Sequence, residues 1–562
     1  MGGASFAKPP GPVVGETRLF SKANVRPLLL CSIAVFGAVL YGYDGTYWTG
    51  LLEMQKFKED YGTPGVDDQG QPTIDITSSQ RAVLTSIIQA GEVVGALLAG
   101  PVGDRFGRRG GFFYAVFLLT LGSVLQLIVA GSIPLLGVGR AILGMGVGAV
   151  ANSTPLYLGE VSPNAIRGAV VGSWQLLLSI GQVIGACVSQ GTKDRTDTGA
   201  YRIPIGINLG FALVLFIGIF ILPESPRWLV TKGRDEQALK SLHRINCGQP
   251  DPTAVIEAEY KSFVDAKREE DEMGKMGWGS LMHGVERRKL LIVCGTLTAQ
   301  QISGVQFIFS YTTTFFANSG VDDAFLITII VDIIQVVGVL CSFFLVNRFG
   351  RRPLLLSTSV PMFIALFVCG GLGTIPTLER NTAQNRCLIA MICIYVFFFN
   401  LAWGPLAWSI ASECAVGSNR QKLMSLGTAC FFISAFVVAF TLPYLFDDDE
   451  AGLGAQIGWI YGGGMLIAIA FTWFCIPETL GRTLEEINEM INRRVPARKW
   501  TSYMTEVEAD GAFSPDMHKQ SLPSSGEGED DDDLKARTDG KKSSTPGADE
   551  TTADVRDAEE RL

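Results

Sequence analysis

Twelve stretches of this chain are apolar over a length that matches a lipid bilayer, and polar segments separate them. They run over about 28–49, 83–101, 111–130, 135–157, 168–190, 204–222, 290–316, 324–346, 354–374, 388–411, 423–446 and 456–476. Each is long enough, at roughly 17–25 residues, to cross the hydrocarbon core as a helix with its backbone bonded internally. Between the sixth and seventh lies a stretch rich in Lys, Arg, Glu and Asp, which reads as short amphipathic helices. The C-terminal stretch is rich in Ser, Thr, Lys and Gly and almost wholly acidic over 527–533, a composition that cannot bury a core. The pattern predicts an all-α integral membrane protein with a tail over 1–25, a six-helix bundle over 26–222, a helical linker over 223–289, a second six-helix bundle over 290–490 and a disordered tail over 491–562.

Three short signatures occur twice, in the same order. Arg105-Phe106-Gly107-Arg108-Arg109 recurs letter for letter as Arg348-Phe349-Gly350-Arg351-Arg352, 243 positions later. Glu160 stands seven residues before Arg167, and Glu413 seven before Arg420. Pro223-Glu224-Ser225 returns as Pro477-Glu478-Thr479. Each copy sits at the polar end of an apolar segment, so the duplicated unit is a bundle of membrane spans, the plan of many secondary transporters.

Composition agrees: 48% hydrophobic residues and 18% charged, with a mean hydropathy of +0.28, are too apolar for an ordinary soluble protein. The net charge of −9 is concentrated in the tail, so it says little about the bundles. That tail reads as a solvated end, with control of turnover by phosphorylation or ubiquitylation as the alternative. The arginines of the repeated signatures fall in even-numbered loops, on the side that holds the linker and both termini, which the positive-inside rule makes cytoplasmic. Acidic residues gather on the opposite face, in the loop over about 50–82 and in the run at 447–450. Most of the eleven cysteines lie inside apolar runs without paired spacing, and the three histidines lack metal-ligand spacing. No metal, cofactor or nucleic-acid partner is expected, and nothing resembles a nucleophile and base or a phosphate loop that would make the chain an enzyme.

Taken together, Gly100-x-x-x-Asp104-Arg105-x-Gly107-Arg108-Arg109, Glu160 to Arg167, Pro223-Glu224-Ser225-Pro226-Arg227-Trp228, Gln300-Gln301-x-Ser303-Gly304, Gly404-Pro405-x-x-Trp408 and Pro477-Glu478-Thr479-x-Gly481-Arg482 resemble the sugar porters of the major facilitator superfamily. The resemblance covers about 26–490 and implies alternating-access uptake of a monosaccharide by a monomer in the plasma membrane. A hexose such as glucose is expected, taken up by symport with a proton, with a facilitated-diffusion uniporter as the alternative and pentoses, disaccharides and polyols open. A sensor that binds sugar without carrying it is a further alternative.

A sugar needs amides that both donate and accept, plus an aromatic for its ring face. Gln175 and Gln182 lie two helical turns apart on one face. By resemblance these two, Gln300, Gln301 and Trp408 match the family's sugar contacts, with Trp403 and Tyr311 as aromatic lining. Gln306 and Gln335 stand where many members carry Asn, and Phe431 where an amide is common. A single intramembrane Gln also serves interhelical hydrogen bonding. Asp44 and Arg140 are ionisable residues inside spans, where charge is costly and usually functional. In proton-coupled members such a pair alternates between ion pairing and protonation, whereas facilitators can carry the same Asp. Glu92 is a further acidic candidate. Asp104, Arg108, Glu160, Arg167 and Arg227, with Arg348, Arg352, Glu413, Arg420 and Glu478, are expected to form a latch between the bundles that stabilises an outward-open state; the alternative is that the arginines only set topology.

Overall fold

The structure is a computed structural model and describes residue 21 and residues 24–505, apart from 67–71, 129–130, 163–166, 250, 274–277, 319–322, 376–380, 418, 448–449 and 483. The described residues contain twelve helices long and apolar enough to span a membrane. Spans 1 to 6 are Val25–Glu53, Ser78–Phe106, Arg108–Ile128, Ile133–Val161, Gly172–Thr192 and Gly199–Ile221. Spans 7 to 12 are Gly284–Ala317, Ala324–Val346, Arg351–Gly373, Thr382–Cys414, Lys422–Phe446 and Gly454–Phe474. Large apolar side chains that stay exposed, among them Phe117, Phe220, Phe344 and Phe474, suit a surface facing lipid tails.

The two halves repeat each other in packing as well as in sequence. Span 2 packs on 4, 1 on 5, 3 on 4 and 3 on 6; in the second half 8 packs on 10, 7 on 11, 9 on 10 and 9 on 12. Between the halves, span 2 packs on 11, 5 on 8, and 1 on the last part of 7. A shift of six spans turns the pair 2 and 11 into 8 and 5, and turns 1 and 7 into themselves, so a pseudo-twofold axis relates the halves.

The duplicated signatures explain how spans 2 and 3, and again 8 and 9, are joined without a loop. Gly107 ends span 2 at φ 89° and Gly350 ends span 8 at φ 88°, the left-handed region that favours glycine. The Glu224 carboxylate accepts from the backbone N–H of Arg108 at 2.7 Å, and Glu478 accepts from Arg351 and Arg352 at 3.0 Å each. A Cβ on either glycine would overlap that carboxylate. Two of the repeated motifs are thus one device, a half-buried glutamate capping the next helix and a glycine that leaves room for it. Burial raises the Glu224 carboxyl above the ordinary carboxylate range, against the pull of the amides it accepts from. Gly107→Ala and Gly350→Ala are each expected to lower the melting temperature of the purified protein, since a left-handed non-glycine residue costs about 1–2 kcal/mol before any clash. Gly206→Ala, at a helical position with open space beside it, serves as the control that leaves melting unchanged or raises it.

After span 6 come the short helices Pro226–Thr231, Asp235–Asn246 and Pro252–Met273, which are the amphipathic linker. The first loop is more ordered than its acidic composition suggests. It holds the helix Gln55–Tyr61 and an antiparallel hairpin of Thr63–Val66 with Pro72–Asp75. Phe57 and Tyr61 stack on each other and meet Tyr201 edge-on, which fixes the helix to span 6. At the other end, the packed structure runs past the boundary read at 490. Helix Leu484–Asn492 and a turn at Ala497–Ser502 bury Ile487, Met490, Ile491 and Trp500 together. The remainder of the acidic tail lies outside the described residues.

Candidate functional site

Spans 7 and 10 are continuous in sequence pattern, yet each contains a wide turn, and in span 7 the helix is broken there. In span 7 a wide turn over Gln301–Val305 separates two helices, with Gly304 at φ 98° and the Tyr461 ring where its Cβ would be. In span 10 a wide turn over Phe399–Trp403 precedes Gly404, and Pro405 opens the next helix. Such turns release backbone carbonyls from the helix ladder and are frequent at functional sites. Beside the turn in span 10 a side chain bonds across from span 7: Gln300 Nε2 donates to the carbonyls of Trp403 at 2.8 Å and Gly404 at 3.3 Å.

Both turns border a cavity of about 120 Å³ between the halves. Gln175, Gln182, Gln300, Gln301, Gln306 and Trp408 line it, with Phe399 and Phe431 as further aromatic wall. Trp408 meets Phe431 edge-on at 4.8 Å. The carbonyl oxygens of Gln300 and Gln301 are buried without a hydrogen-bond partner. Gln175 Nε2 donates to Asn400 Oδ1 at 3.4 Å across the halves, and Gln306 Oε1 accepts from Ser310 at 3.0 Å.

Three residues expected in the lining are elsewhere. Gln335 is fully buried behind the cavity, where its Nε2 donates to Ser179 at 2.9 Å and to the Gln182 carbonyl oxygen. It orients a lining residue without being one. Trp403 turns into its own half and donates to Ser359 at 2.8 Å; five residues before Trp408, it lies about 140° round the helix from that ring. Tyr311 is buried one level above the cavity against Phe446.

Asp44 and Arg140 meet as the resemblance implies, at 3.2 Å and both nearly inaccessible, in the wall of the same cavity. The guanidinium lies 3.9 Å from the centroid of the Trp48 ring, and the side chains of Tyr47 and Asn208 stand within hydrogen-bonding reach of the carboxylate. Sequence reading missed these three; only their spacing of three and four residues from Asp44 could have flagged Tyr47 and Trp48. Glu92 lines the cavity as well and faces the pair from span 2.

The ion pairs that Asp104, Arg108 and Glu160 form, and the pair of Glu413 with Arg351, lie within halves. Arg108 binds Glu160 through two nitrogens at 2.8 and 2.9 Å and Asp104 at 3.2 Å. In the second half the partner of Glu413 is Arg351, at 3.4 Å with both side chains fully buried. Arg352 instead donates to the Trp473 carbonyl, and Arg348 is exposed. The repeat offset of 243 puts Arg351 in register with Arg108, so the signal was present. Arg227 and Arg420 come close enough across the halves to repel each other. The Arg167 side chain lies outside the described residues.

Contacts between the halves close the opposite end. Thr314 donates to Glu53 at 2.7 Å, Thr49 and Thr313 hydroxyls lie 3.2 Å apart, and Lys193 pairs with Asp323 at 2.9 Å. Burial opposes ionisation of Asp323, yet Lys193, the Leu326 N–H and Gln190 outweigh it and hold the carboxyl below its usual range. With the halves meeting there, the guanidiniums at the arginine end find carboxylates one helix away in their own half.

The chain matches the family described as "Sugar (and other) transporter" over residues 30–491. It belongs to the sugar transporters of the major facilitator superfamily. Among this sugar transporter's relatives, a probable glucose transporter of Neurospora crassa, rco-3, is 34% identical over 81% of this chain and 78% of its own. The major facilitator-type transporter ecdD of Aspergillus rugulosus is 35% identical over 86% of this chain and 92% of its own. The solved structure of the proton:xylose symporter XylE bound to 6-bromo-6-deoxy-D-glucose superposes with a TM-score of 0.68 at 25% identity, over 83% of this chain and 99% of that one.

Proposed function

We propose that this sugar transporter carries a hexose, glucose foremost, inward together with a proton across the plasma membrane, with both termini and the repeated arginines in the cytoplasm. The observation that carries the reading is a single cavity lined both by six glutamines, Gln89 of span 2 among them, with two indoles, which suit a polyhydroxy ring, and by the buried Asp44–Arg140 pair, which suits a proton. Two of those glutamines present buried, unpartnered carbonyl oxygens, which a sugar hydroxyl satisfies by donating. The glucose-transporter and xylose-symporter names of the relatives support the same direction.

Coupling follows from electrostatics. While Asp44 is ionised it holds Arg140 against it; a proton on Asp44 cancels the attraction and lets the guanidinium turn to other acceptors in the cavity wall. The outer side is the end closed by Thr314–Glu53 and Lys193–Asp323, so the arrangement described is one in which the site is shut from outside. The six-glutamine lining is longer-reaching than a set of asparagines and is expected to read hydroxyls all round the ring. Labelled-glucose uptake into cells lacking their own carriers, challenged with unlabelled competitors, tests the choice. Glucose and its close epimers are expected to compete in the same concentration range, and disaccharides not at all. Competition by a pentose or disaccharide at far lower concentration than glucose would move the assignment to that sugar.

A further inference from the structure

Span 8 carries a carboxylate that the mechanism above does not use. Asp332 is 5% exposed, and its Oδ2 is buried without a hydrogen-bond partner. It stands four residues after Thr328 and three before Gln335, so the three share one helix face. Both neighbours on that face lead to the first half. Gln335 donates directly to Ser179 and Gln182 of span 5; Thr328 bonds Thr313 at 3.1 Å, which in turn meets Thr49 of span 1. Asp332 therefore lies between two contacts of its half with the first: Gln335 bonds span 5 directly, and Thr328 reaches span 1 through Thr313.

Its surroundings supply no counter-charge. The titratable side chains on the elements packed against span 8 are Cys187 of span 5, Tyr311 of span 7, Arg351, Arg352 and Cys369 of span 9, and Cys387, Cys393, Tyr395, Glu413 and Cys414 of span 10. The charged ones are engaged elsewhere: Arg351 pairs with Glu413 and Arg352 donates to the Trp473 carbonyl, while Tyr395 donates to the Ser303 carbonyl. Arg386 sits at the polar start of span 10, while Lys193 and Asp323 at the outer ends pair with each other. Among the described residues no charged group acts on Asp332. An isolated carboxylate at that depth costs far more than a carboxylic acid.

We infer that Asp332 is a proton-binding site, separate from Asp44, that is filled while spans 5 and 8 are packed and gives up its proton only when they part and water reaches it. Closing the outer side then traps a proton in the second half whatever the state of Asp44. The site needs neither a particular sugar nor the Asp44–Arg140 pair, so it stands even if the transporter proves to be a facilitator.

The full chain in lipid nanodiscs provides the test. At neutral pH the infrared spectrum is expected to show a protonated-carboxyl band that is lost in Asp332→Asn and kept in Asp44→Asn. Removal of carboxylate absorption alone by Asp332→Asn overturns the proposal. Melting temperature against pH gives a second readout that does not depend on resolving the band. A group held protonated in the folded state loses its stabilising effect as pH rises, so wild-type melting should fall with pH more steeply than that of Asp332→Asn. Equal slopes contradict the inference. Loosening these contacts with Thr49→Val and Gln182→Ala should weaken the band; an undiminished band shows a proton that does not depend on closure and removes that part of the proposal.

Discussion

Asp44→Asn is expected to abolish accumulation of sugar above its external concentration while leaving the protein at the cell surface and able to equilibrate sugar. The substitution keeps the shape of the side chain and one acceptor for Arg140, but it removes the only change of charge that a proton can make at that position. Arg140 is buried, yet it retains the Trp48 ring at 3.9 Å, so it is not left wholly without compensation. The expected effect is large. One proton moving through 100 mV releases about 2.3 kcal/mol, which supports roughly fiftyfold accumulation, and the variant should fall to an internal-to-external ratio of about one. Accumulation of labelled glucose at matched surface amounts, with a protonophore added as reference, checks this. Wild-type accumulation in the variant would place coupling elsewhere, with Glu92 the next acid in the same wall.

Gln300→Ala is expected to cut uptake at limiting sugar by about tenfold or more, the largest loss among the cavity glutamines. Its amide is committed on both sides. Nε2 bonds the carbonyls of Trp403 and Gly404 across from span 7, and Oε1 is buried without a partner beside the cavity. Truncation removes these cross-helix bonds, at about 1 kcal/mol each, and a partner of the sugar as well. Gln306→Ala is expected to change uptake less than threefold, because its Oε1 is already taken by Ser310. Initial rates over a range of glucose concentrations separate the two outcomes. Equal effects at 300 and 306 would mean that the amide–backbone bonds at the turn do not position the site.

The spans, the duplication and most of the lining were legible from sequence because each rests on a local signal. Length and apolarity set a span, identical motifs set the repeat, and a polar side chain in an apolar run is conspicuous. What escaped depends on how helices turn against one another. Five residues put Trp403 about 140° round the helix from Trp408, so an aromatic next to cavity-lining Gly404 faces away from the cavity. Gln335 is as polar as its neighbours in the lining, and only packing of span 8 on span 5 puts it behind Gln182. The pairing of Glu413 with Arg351, not with Arg348 or Arg352, was available from the repeat offset once the copies are held in register. The hairpin in the first loop carries Gly and Pro where strands seldom do, and is held by the helix and aromatic cluster beside it.

The central claim is that sugar and proton cross together through one cavity. Its most direct test is the pH of a weakly buffered suspension of proteoliposomes containing the purified transporter, recorded as glucose is added without any imposed gradient of potential. The account predicts alkalinisation of the medium in step with entry of labelled glucose, absent in Asp44→Asn. Entry of labelled glucose at full rate with no change in external pH would contradict it, and would make this protein a facilitator that keeps a buried ion pair for stability alone.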